Sequence, residues 1–138
     1  MPQTRAVALS WSGDGLRFEG AGTEPETPAI AVDGDGAAGP SPMQALLLAA
    51  AGCTAADVVL ILRKMRVELR SLDVSVQGTR RDEEPRRYTA LHFGFKVAGG
   101  GLDRAKAERA VSLSLEKYCS VVATLAPDIT VDYEIELA

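Results

Sequence analysis

The stretch "SPMQALLLAAAGCTAADVVLILRKM", residues 41–65, constrains this chain more than any other. Ser41 offers an N-cap, Pro42 suits the first helical position, and Gln44 follows three residues after the cap, the pattern of a capping box. These signals predict a helix running to about Met65, or on to Glu68. Roughly 25 residues of helix span about 38 Å, whereas a compact chain of this size has a radius of gyration of about 14 Å. The helix therefore crosses the whole domain. It is also apolar nearly all round, because Leu46, Leu47, Leu48, Val58, Val59, Leu60, Ile61 and Leu62 cover every direction. A helix of that kind is expected to be buried on all sides. One small domain covers one flank easily but hardly both, so a homodimer packed over this helix is expected.

The segments around the helix read mostly as strands. Val7, Leu9 and Trp11 alternate with Ala8 and Ser10, "SGDG" is a turn, and "LRFEG" returns as the second strand of a hairpin. "TPAIAV" is a third strand, and "DGDGAAGPSP" a loop. Residues 73–80 and 88–97 alternate as two further strands, the second with Leu91, Phe93, Phe95 and Val97 on one face. Asp103 caps a helix of about 104–117 whose inner stripe is Ala107, Ala110, Val111, Ser114, Leu115 and Tyr118. A short third helix follows Cys119 and stops before Pro127, and a last strand alternates Ile129, Val131, Tyr133, Ile135 and Leu137 with polar residues. The order is βββ-α-ββ-α-α-β: one α+β domain over residues 1–138, with mostly antiparallel sheets around a long central helix.

Composition narrows the function classes. Of 138 residues, 46% are hydrophobic and 25% charged, enough for one sizeable core. The net charge of −4, with no basic stripe, argues against nucleic acid as a partner. The apolar run from Met43 to Leu62 approaches membrane-spanning length, but Gln44, Gly52, Thr54 and Asp57 interrupt it, and an Asp at mid-membrane is costly. No membrane partner is expected. "MPQTRAVALSW" shows no apolar core or cleavage site of a signal peptide, so a cytoplasmic location is expected. In that compartment a pair of cysteines is more often catalytic, redox-active or inert than a structural disulfide.

The chain has two cysteines. Cys53 has Ala49, Ala50, Ala56 and Asp57 as its helical neighbours. Small residues beside a thiol allow tight packing of an inert core cysteine, or room for a substrate. A carboxylate at Asp57 opposes a thiolate beside it unless a cation intervenes. Cys119 is placed at the N-terminus of the short third helix, where unpaired N–H groups and the helix dipole favour a thiolate. Neither cysteine belongs to a C-x-x-C pair. Two cysteines and one His do not make a closed tetrahedral zinc site, so no metal is expected. His92 alternates with Leu91 and Phe93 and is read as a surface or interface residue.

Two segments carry a resemblance. "SPMQALLLAAAGCTAADVVLILRKMR" resembles the long central helix of the OsmC/Ohr family, the osmotically inducible protein C and organic hydroperoxide resistance proteins. "LEKYCSVVATL" resembles the segment with that family's second cysteine, and the order of elements agrees over about residues 5–137. The details are most similar to the OsmC-like branch. The resemblance implies an intertwined homodimer with sites at its interface, and a thiol-dependent peroxidase reducing organic hydroperoxides to alcohols in oxidative stress defence. Cys53 then corresponds to the peroxidatic thiol and Cys119 to the resolving thiol, with an external dithiol, such as a lipoylated protein, as reductant and no metal or flavin. The family also uses an Arg held by a Glu near the start of the central helix. Here that stretch reads Pro42-Met43-Gln44-Ala45, without a Glu. Arg17 is the best positional match for the Arg, with Arg86 and Arg87 behind it, and Gln44 and Asp57 are auxiliary candidates. Gln44 lies about 13 Å along the helix from Cys53, so a role at the thiol would need the partner's copy. The alternative reading is a non-enzymatic or redox-sensing dimer that binds a small apolar molecule.

Overall fold

The computed structural model describes residues 2–138. Its elements are β1 (Ala6–Trp11), β2 (Arg17–Glu24), β3 (Ile30–Asp33), α1 (Pro42–Lys64), β4 (Glu68–Arg80), β5 (Tyr88–Gly100), α2 (Arg104–Leu113), a π-helical turn (Ser114–Tyr118), α3 (Ser120–Thr124) and β6 (Thr130–Leu137). The α+β order is the one the hydrophobic pattern predicts. The chain divides into two compact units, residues 1–46 and 47–138.

The first unit is a three-stranded antiparallel sheet in the order β1-β2-β3. Leu9 faces Gly20 and Trp11 faces Phe18 across the first pair, and Phe18 faces Val32 across the second. The hydrophobic alternation thus gathers on one side, yet this side is bare: Val7 is 80% exposed and Ile30 65%. Gly20 and Gly22 contribute no side chains, and an apolar groove of about 450 Å³ runs among Val7, Leu9, Gly20, Ile30 and Val32. Asp33 ends β3 and orders the loop after it. Its buried carboxylate accepts the N–H groups of Asp35 and Ala38, each at 2.9 Å. The Ala38 N–H, then the Asp35 N–H, hold that carboxyl below the usual range. The capping box forms as read: the Gln44 N–H donates to Ser41 Oγ at 3.2 Å and the Ser41 N–H to Gln44 Oε1 at 3.1 Å.

The second unit holds a sheet in the order β4-β5-β6. β4 pairs antiparallel with β5, but β6 pairs parallel with β5, because α2, the π turn and α3 carry the chain back across the sheet. Leu91, Phe93, Phe95 and Val97 are buried as predicted, and the Phe93 and Phe95 rings stack with centroids 6.1 Å apart. Opposite Leu91 stands Gly78, where the Tyr88 ring fills the space a Cβ would need.

Residues of α1 in this unit bury one stripe, Ala50, Thr54, Val58 and Leu62. The expectation of burial on all sides is not met within one chain: Leu48 is 61% and Leu60 56% exposed. By length and composition alone α1 could cross a membrane. Its buried stripe, and a hydrogen bond from Ser114 to Asp57, make it instead the central helix of the fold. It ends at Lys64, earlier than the outer limit read from sequence. Arg66 takes a φ of 62°, and the Arg66 and Val67 N–H groups bond back to Arg63 and Leu62. This is a Schellman closure with an Arg where Gly is usual.

The largest departure from the periodicity lies after α2. The regular helix stops at Leu113 rather than near 117, and the Cys119 N–H reaches back five residues to the Ser114 carbonyl at 2.7 Å. This π turn adds one residue to the repeat. Ala107, Ala110, Val111 and Ser114 are buried as expected, but Tyr118 is turned outward and is 51% exposed.

Candidate functional site

The π turn brings Cys119 to α1. Cys119 is the N-cap of α3, and its Sγ accepts the Val122 N–H at 3.5 Å. Thr54, fully buried on α1, donates its hydroxyl to the same sulfur at 3.4 Å. One turn along α1, Asp57 accepts the Ser114 hydroxyl at 2.8 Å. Cys53 and Asp57, four residues apart, lie on one helix face. The two sulfurs and a carboxylate oxygen of Asp57 all stand within 4.8 Å of one another. Cys53 is half-buried and Cys119 buried, both as free thiols.

The electrostatics of Cys119 correct the sequence reading. Its place at a helix N-terminus was expected to favour the thiolate. Burial instead pushes the thiol up, the Thr54 hydroxyl and Val122 N–H oppose that shift, and Cys53 beside it pushes further upward. A five-residue helix offers little dipole against desolvation of a thiol that is 3% exposed. Cys119 therefore keeps its proton at neutral pH.

Of the other candidates, Gln44 and Arg17 belong to the first unit, and Arg86 and Arg87 precede β5 in the second. Gln44 is committed to the capping box in the first unit. Arg17 lies in the first unit on β2, opposite Asp33 in the register. Arg87 pairs with Asp128 at 2.5 Å and donates to the Tyr88 carbonyl at 3.0 Å, so its guanidinium is engaged by these groups. The Arg86 carbonyl accepts from Arg80 at 2.6 Å. His92 lies between Asp132 at 2.6 Å and Glu134 at 3.1 Å on the outer face of the sheet, and these carboxylates raise its pKa. Thr54 and Ser114 were not read as site residues. The available signal was a lone polar residue in each of two apolar stripes.

Three comparisons bear on the site. A family profile described as OsmC-like protein matches residues 33–134, which include both cysteines and Asp57. Protein YhfA of Escherichia coli K12 is 46% identical over 112 residues, covering 79% of this chain and 84% of that protein. Among solved structures, a hypothetical protein from Aquifex aeolicus superposes with a TM-score of 0.83 at 28% identity over 99% of both chains. An organic hydroperoxide resistance protein OsmC from Legionella pneumophila shares the fold, with a TM-score of 0.62 at 14% identity over 99% of this chain and 97% of its own.

Proposed function

This chain belongs to the OsmC-like family, and from that premise we propose that it is a thiol-dependent peroxidase that reduces organic hydroperoxides to alcohols. The family and the paired cysteines support a redox role related to peroxides. One observation carries the finer reading: two sulfurs from distant parts of the chain stand within 4.8 Å. A disulfide needs about 2.05 Å, so a shift of under about 3 Å joins them.

In this reading the Cys53 thiolate attacks the outer oxygen of the hydroperoxide. The O–O bond breaks, the alkoxide leaves and takes a proton to become the alcohol, and Cys53 becomes a sulfenic acid. Cys119 then displaces the hydroxyl as water and forms the disulfide. An external dithiol returns two electrons and two protons, restoring both thiols. Cys119, protonated until then, suits the resolving part. Cys53 is the more accessible of the two, as the attacking sulfur must be. The apolar residues flanking Cys53 in α1 favour a hydroperoxide with an apolar body over hydrogen peroxide.

The working unit is proposed to be a cytoplasmic homodimer. The bare side chains Val7, Leu9 and Ile30 in one unit, and Leu48 and Leu60 in the other, are apolar surface that a second copy would cover. A non-catalytic redox sensor is the second reading, favoured by the high pKa of Cys119, which slows resolution. Steady-state turnover with a dithiol separates the two. The peroxidase consumes cumene hydroperoxide many times over, prefers it to hydrogen peroxide, and loses turnover in Cys53→Ser. Oxidation that stops after one equivalent would leave only the sensor.

A further inference from the structure

We propose that Cys53, Asp57 and Cys119 together form a binding site for one zinc-type divalent cation, open at its fourth position. The proposal rests on these residues alone and not on the peroxidase reading. Sequence reading counted cysteine and histidine and found too few ligands. The fold adds a carboxylate, and one ligand atom from each of the three residues lies within 4.8 Å of the other two. Two thiolates each about 2.3 Å from one ion stand just under about 4 Å apart, so small side-chain rotations close the site. Three protein ligands and one open position is the arrangement of catalytic rather than structural zinc.

The scaffold suits the task. Cys53 and Asp57 repeat the i, i+4 spacing by which a single helix face presents two ligands. Cys119 comes from the cap of another helix, fixed by its own hydrogen bonds. Metal ligands are usually oriented by partners behind them. Here Ser114 donates to Asp57 at 2.8 Å, and Thr54 and the Val122 N–H donate to Cys119 at 3.4 and 3.5 Å. Both hydroxyl-bearing residues are fully buried. The charge count points the same way. Two potential thiolates and a carboxylate share one small volume, and among the described residues of this unit no Lys or Arg side chain bonds to any of them. Two sulfurs with one oxygen select a borderline-soft ion over calcium or magnesium, which need oxygen ligands throughout. Oxidation of the pair to a disulfide would remove both sulfur ligands, so a bound ion and an oxidised site exclude one another.

The test uses the full chain, reduced and stripped with a chelator, without hydroperoxide. Cobalt(II) is titrated in while thiolate-to-cobalt charge-transfer absorption is followed, and zinc is then used to displace it. The proposal predicts one ion per chain. Asp57→Asn should weaken binding by about a hundredfold or more, and Ser114→Ala by only about tenfold, as for a residue behind a ligand. Zinc should also protect both Cys53 and Cys119 from alkylation in the unmodified protein, a readout that needs no variant to fold. No charge-transfer band, equal affinity in Asp57→Asn, or protection of only one thiol would each overturn the site.

Discussion

The two sheets obey the same alternation rule and meet different fates. In β4-β5-β6 the apolar face is covered within the unit, and Leu91, Phe93, Phe95 and Val97 are all 2% exposed or less. In β1-β2-β3 the apolar face keeps Leu9 59% and Trp11 61% exposed. Alternation reports that a face wants cover, but not which chain supplies it. The covered sheet holds the buried core of its unit. The bare sheet leaves its apolar side chains exposed in the single chain.

The comparison breaks most sharply at Phe93. Phe93→Ala, in the covered sheet, should lower stability by about 3–5 kcal/mol in urea unfolding, with a cavity left behind. Leu9→Lys, in the bare sheet, should leave the isolated chain folded and within about 0.5 kcal/mol of its own stability. Its effect should appear in light scattering, as a shift from dimer to monomer. Equal destabilisation by the two substitutions would erase the distinction.

A smaller effect sharpens the account of the outer sheet face. The folded pKa of His92 is raised by Asp132 and Glu134, so its contribution is fully present below the unfolded value and fades as pH rises through the folded one. His92→Gln should therefore lower Tm more at about pH 5.5 than at about pH 8.5, where the ring is neutral in both states. The smallest change concerns the closure of α1. Arg66→Gly relieves a left-handed residue and should stabilise by no more than about 1 kcal/mol, seen as a small rise in Tm.

Much of this was legible because it is local. The start of α1 was written in Ser41, Pro42 and Gln44, and the buried face of β5 in Leu91, Phe93, Phe95 and Val97. The π turn was not, because a 3.6-residue repeat carries no mark of where one residue will be added. With it went the outward turn of Tyr118 and the approach of Cys119 to Thr54. The parallel pairing of β6 depends on where a crossover lands, and the anchoring role of Asp33 on a loop folding back over it. At the site, both cysteines and Asp57 were named from the sequence. That they converge, with Ser114 and Thr54 behind them, is a tertiary fact.

Cys53 and Cys119 are proposed to work as one redox pair. The most direct measurement is the intact mass of the reduced protein, and of Cys119→Ser, after one equivalent of an organic hydroperoxide. The account predicts loss of two hydrogens in the unmodified chain and gain of one oxygen, on Cys53, in the variant. Masses that stay unchanged over minutes in both proteins would contradict it.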